Sequence, residues 1–193
     1  MSGPSPAISP ELIFRLATEA DALCIGVLAT QVFLDTYATE GVRAPIAHEV
    51  LEQLSTPAVA AMLAVPNSRF VLAEHAAHLL AFAQVQMGAA HGKVPAARPA
   101  EIVRLYVQER FTGLGLGTRL LAQAELLAAS ENATHIWLTA WVGNARALAF
   151  YAGRGYAQRG STIYTFQGEE HENRLFVKEL AACVAPPSVV APP

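Results

Sequence analysis

The chain is poor in the residues that build disulfide and metal sites. Its 193 residues include two cysteines, Cys24 and Cys183, which lie far apart without a CxxC spacing. They support neither a disulfide framework nor a zinc site. The six histidines form no pair at a credible metal-ligand spacing either. We therefore expect no bound metal and a reduced, cytoplasmic environment.

Long apolar runs and clusters of positive charge are also missing. No uninterrupted apolar run reaches the roughly 18 residues of a membrane span, and the N-terminal MSGPSPAISPE lacks the basic start and apolar centre of a signal peptide. The formal net charge is -3, with no cluster of Lys or Arg. We therefore expect neither a membrane nor a nucleic acid as partner.

The chain does contain enough apolar material for one domain. It is 53% hydrophobic and 15% charged, at a length usual for a single core. Residues 1–10 and 183–193 are rich in proline and small residues and are predicted to be mobile tails. A single α/β domain is predicted over residues 11–182.

The apolar periodicity predicts alternating strands and helices along this domain. A first strand at 12–16 precedes a helix that begins with a capping-box pattern at Thr18 and Asp21 and ends near Tyr37. Two helical patterns follow within 45–64. The later elements are predicted as strands at 69–74 and 79–87, a strand from residue 100, a helix ending near 130, a strand at 135–142, a helix from 144, and strands at 162–166 and 173–180.

The segment from Leu105 to Leu121, LYVQERFTGLGLGTRLL, carries the strongest chemical signal. Gly113, Gly115 and Gly117 stand at alternate positions between a strand-like run and a helical leucine pattern. Glycine lets an anion approach the backbone, and a helix start offers unpaired N–H groups and a positive dipole end. The pattern predicts a site for a ligand that carries a pyrophosphate.

Two common phosphate-binding motifs fit this loop poorly. A nucleotide P-loop needs a lysine followed by Ser or Thr, whereas Gly117 is followed by Thr118 and Arg119. The dinucleotide fingerprint GxGxxG needs a third glycine where the chain has Thr118 or Leu120. That fingerprint also belongs near the start of a βαβ domain, and this loop lies past the midpoint.

The segment resembles motif A of the GCN5-related N-acetyltransferase (GNAT) superfamily, roughly LYVxPxYQGxGIGxxLL. The stretch from Trp137 to Tyr156, WLTAWVGNARALAFYAGRGY, is similar to motif B, an Asn after a strand and then a helix of pattern AxxFYxxxGF. Both motifs stand in the family's order and separation. The resemblance implies a mixed, centrally splayed sheet of about seven strands with helices on both faces, and acetyl transfer from acetyl-CoA to an amine.

The resemblance also implies which residues bind acetyl-CoA. The N–H groups of the glycine loop would hold the pyrophosphate, and the motif A strand would pair with the pantetheine arm. Thr112 departs from the Gln or Arg usual in the family, and Arg110 or Arg119 is considered as a replacement for the missing charge. The predicted cofactor-binding residues are Leu105, Tyr106, Val107, Thr112, Gly113, Leu114, Gly115, Leu116, Gly117, Thr118, Asn144, Ala147, Phe150 and Tyr151.

The resemblance assigns three roles near the thioester. Tyr151 occupies the family's general-acid position, where a phenol can protonate the departing thiolate. The Val107 N–H is the predicted donor to the thioester carbonyl. Asn144 serves the pantetheine amides, caps its helix, or does both.

Glu101 is the predicted general base. It falls where histone-acetylating members carry their catalytic glutamate, and a Lys-like amine must lose a proton before it attacks. Strict strand alternation places Glu101 on the same face as Val103, Leu105 and Val107. A position at the exposed strand end is the competing interpretation.

The acceptor is predicted to be a small amine or a polyamine. The segment VFLDTYATEG resembles a pattern near helix one of small-amine members, so Phe33 and Tyr37, with Glu101 and Trp141, are the predicted substrate-binding residues. Asp35 and Glu40 are further candidates, and the alternative is that Phe33 packs in the core while Asp35 faces water. Protein lysine or N-terminal acetylation, and a CoA-binding sensor without turnover, remain as alternatives.

Neither cysteine lies in a motif, so direct transfer in a ternary complex is expected. A homodimer paired through the apolar strands near the C-terminus is a further expectation.

Overall fold

The computed structural model describes residues 12–166 and 168–181, without the side chain of Phe166. Both predicted tails lie outside these residues. The strands are β1 (Ile13–Leu16), β2 (Ser68–His75), β3 (His78–Met87), β4 (Pro99–Val107), β5 (His135–Trp141), β6 (Ala157–Phe166) and β7 (Glu169–Glu179). The helices are α1 (Ala22–Tyr37), α2 (Ala44–Gln53), α3 (Thr56–Leu63), α4 (Leu116–Ser130) and α5 (Ala145–Ala152).

The strands form one sheet in the order β1-β2-β3-β4-β5-β7-β6. Neighbours are antiparallel except β4 and β5, which are parallel. Helices α1, α2 and α3 pack on one face around Phe82 and Leu72, and α4 and α5 cover the other face around Leu120 and Leu138. The predicted α/β class, with a mixed seven-stranded sheet between helices, is confirmed.

The β2–β3 hairpin shows that turn geometry can be satisfied without the usual turn residues. Ala76 and Ala77 have φ values of 47° and 61°, the left-handed pair of a two-residue hairpin turn. Asn-Gly is the residue pair most often found in such turns. The hairpin itself was predicted from its apolar strands, and the structure confirms it.

The two last strands are longer than predicted. β6 begins at Ala157 rather than near Thr162, and β7 begins at Glu169 rather than near Asn173. The first halves of both strands are mostly polar, so apolar alternation does not mark them. β6 is the edge strand of the sheet, and β7 pairs with it there. Backbone pairing between the two strands extends the hairpin to the Phe166–Glu169 pair.

A β-bulge at Val103 changes the faces of β4. The register pairs Ile102 with Val85 and Arg104 with Gln84, which leaves Val103 without a partner. An extra residue in one strand reverses the alternation beyond it. The prediction that Glu101 shares a face with Leu105 and Val107 is therefore wrong.

The bulge instead places Glu101 on the face of Arg104 and Tyr106, toward α1, α2 and α3. Tyr106 accordingly packs with the apolar cluster of those helices, while Leu105 and Val107 pack with that of α4 and α5.

The parallel pair β4–β5 separates soon after it starts. Pairing covers Pro99–Glu101 against His135–Trp137, although β4 continues to Val107 and β5 to Trp141. Beyond Glu101 the two strands diverge. This gap in the middle of the sheet opens into a cavity, which we call the main cavity.

Candidate active site

A cavity of about 550 Å³ occupies the gap between β4 and β5 and extends to the start of α4. Its walls come from the C-terminal half of β4, the glycine loop, β5, α5 and the end of α1. Of the predicted cofactor-binding residues it is lined by Leu105, Tyr106, Val107, Thr112, Gly113, Gly115, Gly117, Thr118, Asn144, Ala147, Phe150 and Tyr151. Leu114 and Leu116 do not line it. Leu116 is buried in the core and Leu114 is exposed, so either would contribute through its backbone.

The glycine loop forms one end of the cavity, which we call the phosphate end. Gly113 and Gly115 have φ values of 74° and 79°, and a Cβ added at either position would meet no atom within 4 Å. The left-handed backbone therefore turns an open, side-chain-free surface toward the cavity. Gly115 is the N-cap of α4, whose first N–H groups lack partners within the helix. This geometry fits a pyrophosphate.

Arg154 supplies positive charge at the phosphate end. Its side chain lines the cavity, lies over the Phe150 ring at 3.9 Å, and donates from Nη1 to the Phe150 carbonyl at 3.0 Å. Nε also donates to Thr118 Oγ1 at 3.1 Å. The guanidinium is thus fixed between α5 and the first turn of α4.

Arg146 is the second arginine at this end. It forms a bidentate ion pair with Glu109, with both N–O distances 2.8 Å, and lines the cavity. That pair lowers the pKa of the Glu109 carboxyl.

Tyr151 lies on α5 and faces the cavity from the α4–α5 side. The side chain is 8% exposed and packs against the rings of Phe150, Tyr156 and Phe176. Burial raises the pKa of its phenol well above the ordinary value, so the hydroxyl keeps its proton throughout the neutral range. A protonated phenol beside the gap has the properties of a proton donor.

Asn144 is the N-cap of α5. Its Oδ1 accepts a hydrogen bond from the Ala147 N–H at 3.0 Å, so the predicted capping role is confirmed. Asn144 also lines the cavity, which keeps its side-chain amide near the gap between the strands.

The α1–α3 side of the cavity, which we call the acceptor end, is lined by Tyr37, Arg104, Tyr106, Thr139, Trp141 and Asn173. The Tyr37 and Trp141 rings lie 5.6 Å apart and form an aromatic wall. Burial raises the pKa of Tyr37 and Tyr106 above the ordinary tyrosine value. Both phenols are therefore neutral hydrogen-bonding groups.

Comparison with known proteins decides the family. The model described as "Acetyltransferase (GNAT) family" matches residues 34–156, which include the glycine loop, the gap and α5. The chain belongs to this family. As a GNAT acetyltransferase it is an acetyl-CoA-dependent N-acetyltransferase, which confirms the activity implied by motifs A and B.

Individual relatives support the family assignment, although their sequence identity to this chain is low. The uncharacterized N-acetyltransferase of the pepI 3′ region from Lactobacillus delbrueckii subsp. lactis is 22% identical over 153 residues, 79% of this chain and 88% of that protein. The crystal structure of PaiA N-acetyltransferase from Thermoplasma acidophilum, in complex with coenzyme A, superimposes with a TM-score of 0.70 at 18% identity, covering 87% of this chain and 98% of PaiA.

A GNAT-family acetyltransferase from Streptococcus pneumoniae gives a TM-score of 0.63 at 19% identity, covering 89% of this chain and all of that one. These two crystal structures confirm the GNAT fold.

The structure does not place Arg110 and Arg119 as replacements for the charge missing at Thr112. Their guanidinium groups lie near the Phe111 and Phe14 rings, at 5.6 and 5.3 Å, and neither residue lines the cavity. Arg146 and Arg154 occupy the cavity wall instead. Sequence reasoning missed both because they stand at variable positions of motif B, next to Ala147 and Gly155.

Two predicted acceptor residues lie behind the cavity wall. Phe33 is 9% exposed and packs in the core, with its ring 4.7 Å from that of Tyr37, so it supports the wall from behind. Glu101 lies at the last β4–β5 pair, and burial raises the pKa of its carboxyl while the charge of Arg104 partly opposes this. Neither lines the main cavity. Asp35 lines a neighbouring pocket of about 420 Å³ together with Glu109 and Trp141, and Glu40 lines neither of the two.

Replacing Arg154 by glutamine is expected to weaken acetyl-CoA binding by roughly 10- to 100-fold, the loss typical of a charged hydrogen bond to phosphate. Turnover of S-acetylpantetheine, which lacks the pyrophosphate, should change far less. Isothermal titration calorimetry and a thiol-release assay measure the two effects. Arg159→Gln, which removes the same charge from exposed β6, is the control. Equal losses with both acyl donors would show that Arg154 acts only on the fold of the loop.

Proposed function

We propose that this GNAT enzyme acetylates the primary amine of a small molecule. The observation that carries the proposal is the composition of the acceptor end. The Tyr37 and Trp141 rings lie 5.6 Å apart there, beside the polar side chains of Thr139 and Asn173. Aromatic walls with a small number of polar groups are typical of sites for small molecules.

The pyrophosphate is held, in this proposal, by the N–H groups of residues 112–118 together with Arg154. Beyond Glu101 the edge of β4 that faces the gap has no β5 partner, so Leu105 and Val107 offer backbone groups to the pantetheine arm, while Tyr106 between them lines the cavity. Acetyl-CoA supplies an activated acetyl group when bound. The Val107 N–H polarises the carbonyl, a type of contribution worth roughly 3 to 4 kcal/mol of barrier elsewhere. Tyr151 provides the proton for the thiolate.

The acceptor must be deprotonated before it attacks. Glu101 is the proposed base, and its position behind the wall requires that it act through water. Its raised pKa, relative to an ordinary glutamate, moves it toward the value that suits a base near neutral pH. Cys24, on the exposed side of α1, offers no nucleophile at the cavity, so we propose direct transfer in a ternary complex.

The first experiment is CoA-thiol release from acetyl-CoA with a panel of amines. The panel includes polyamines, amino acids, lysine peptides and protein N-termini. We expect CoA-thiol release with small primary amines and none with lysine peptides or protein N-termini. Release with peptides alone would favour the protein-acetylating alternative. Acetyl-CoA binding without release from any acceptor would favour a CoA sensor.

A homodimer is part of the same proposal. β6 is the edge strand of the sheet, and Ile163 and Tyr164 on it are 56% and 50% exposed. Such an edge can pair with a second copy. Light scattering coupled to size-exclusion chromatography gives the oligomeric state.

A further inference from the structure

The charged residues lining the main cavity are all positive. Arg146 and Arg154 stand at the phosphate end, and Arg104 stands alone at the acceptor end. No aspartate or glutamate of the described residues lines this cavity. A polyamine bound inside this cavity would therefore meet a guanidinium and no lining carboxylate, which is unfavourable for a substrate with several positive charges. The carboxylates of Asp35 and Glu109 line a neighbouring pocket of about 420 Å³ instead, and Arg146 already pairs with Glu109 there.

Arg104 is held in place by two buried polar side chains, those of Gln84 and Ser68. Its Nη1 donates to Gln84 Oε1 at 2.5 Å, and Gln84 Nε2 donates in turn to Ser68 Oγ at 3.3 Å. Gln84 and Ser68 are each only 6% exposed. Buried polar groups are costly unless they are satisfied, so this chain of hydrogen bonds fixes the guanidinium toward the cavity.

The guanidinium of Arg104 has no carboxylate within ion-pair distance among residues 12–166 and 168–181, whereas Arg15, Arg43, Arg69, Arg146 and Arg174 all form ion pairs. Its two acidic neighbours, Glu49 and Glu101, do not line the main cavity. Burial raises the pKa of both, and the charge of Arg104 opposes this only in part. Arg104 also donates from Nη1 to Met62 Sδ at 3.7 Å and forms a hydrogen bond to the Tyr106 hydroxyl. A guanidinium has five N–H donors, so donors remain for a ligand.

Asn173, on the opposite wall, offers the complementary group. Its Nδ2 donates to Thr139 Oγ1 at 3.3 Å, and its Oδ1 is buried without a hydrogen-bond partner in the described chain. An unsatisfied buried acceptor costs roughly 1 to 3 kcal/mol, which a ligand N–H would recover. The acceptor end thus presents a cation for an acid and a carbonyl oxygen for an amine.

We infer that the acceptor is an amino acid-type molecule, a primary amine that also carries a carboxylate, and that Arg104 binds this carboxylate. The inference rests on the proposed function and narrows its substrate class. Arginine suits the role because its planar fork matches a carboxylate with two parallel hydrogen bonds. The Tyr37 and Tyr106 hydroxyls, neutral and on the same wall, are further donors to the acid.

The test compares matched acceptors that differ only at the acid. Small α- and ω-amino acids are assayed by CoA-thiol release, each beside its amide and the amine that lacks the carboxyl group, with spermidine included. We expect kcat/KM for an amino acid to exceed that for its amide by roughly 10- to 100-fold. Arg104→Gln should reduce this ratio to about one, and Arg104→Lys should retain part of it because it keeps the charge without the fork. Arg159→Gln should leave the ratio unchanged.

Three results would overturn the inference. If spermidine or the amides were the better acceptors, the carboxylate would play no part in substrate recognition, and the proposed function would still hold. Equal losses for acids and amides in Arg104→Gln would make Arg104 a structural residue. Silence with every acceptor would reject the proposed function and this inference with it.

Should Arg104→Gln fail to fold, calorimetry on the wild-type protein with CoA gives an independent answer. An N-acetyl amino acid product should bind more tightly than its amide, and equal affinities would reject the role of the acid.

Discussion

Replacing Tyr151 by phenylalanine is expected to lower kcat for acetyl transfer by roughly 100-fold, the lower end of the range for loss of a general acid. The acetyl-CoA dissociation constant should change little, because the ring still packs against Phe150, Tyr156 and Phe176. The missing atom is the phenolic oxygen at the cavity wall. Steady-state kinetics together with calorimetric titration of acetyl-CoA separate the two quantities.

Tyr156→Phe is the matched control for this experiment. Tyr156 packs its ring against that of Tyr151 and is 4% exposed, but its hydroxyl donates to Glu125 Oε1 at 2.9 Å and the residue does not line the cavity. Losing that hydrogen bond should cost stability, by roughly 1 kcal/mol, and spare kcat. If Tyr151→Phe retained wild-type kcat, or if both variants lost turnover equally, the general-acid assignment would be wrong.

The residues around the gap were predictable because they depend on local chemistry. Glycines with left-handed φ at 113 and 115, a helix that starts at once, and an Asn that caps α5 are each set by a few neighbouring residues. Such patterns survive in the sequence as short motifs. The splay of β4 and β5 followed from the family resemblance rather than from any periodicity.

The features that the sequence did not predict depend on packing between residues that are far apart in the chain. The bulge at Val103 reverses β4 and moves Glu101 to the face of Arg104, and nothing in the run AEIVRLYV marks the extra residue. Arg104 itself becomes notable only when Gln84, from the neighbouring strand, is seen to hold it. The sequence predicts substrate binding for both Phe33 and Tyr37, which are one helical turn apart, yet only Tyr37 reaches the cavity.

Gly115→Val is expected to reduce acetyl-CoA affinity by at least about 100-fold, because two effects act on the same position. A β-branched residue at a φ of 79° is strained, by roughly 1 to 2 kcal/mol or more, so the loop shifts away from the geometry that presents its N–H groups. The new side chain also projects into the open surface at the phosphate end. Calorimetric titration with acetyl-CoA measures the loss.

Gly88→Val separates the effect of backbone strain from the effect of a side chain at the phosphate end. Gly88 has a φ of 70°, a Cβ there would also meet nothing within 4 Å, and the residue lies after β3, away from the cavity wall. Thermal unfolding should show similar destabilisation for both variants, whereas only Gly115→Val should lose acetyl-CoA. A folded Gly115→Val protein with normal affinity would show that the pyrophosphate binds elsewhere. Equal affinity losses in the two variants would assign the effect to stability, because Gly88 shares the backbone strain of Gly115 without its place at the start of α4.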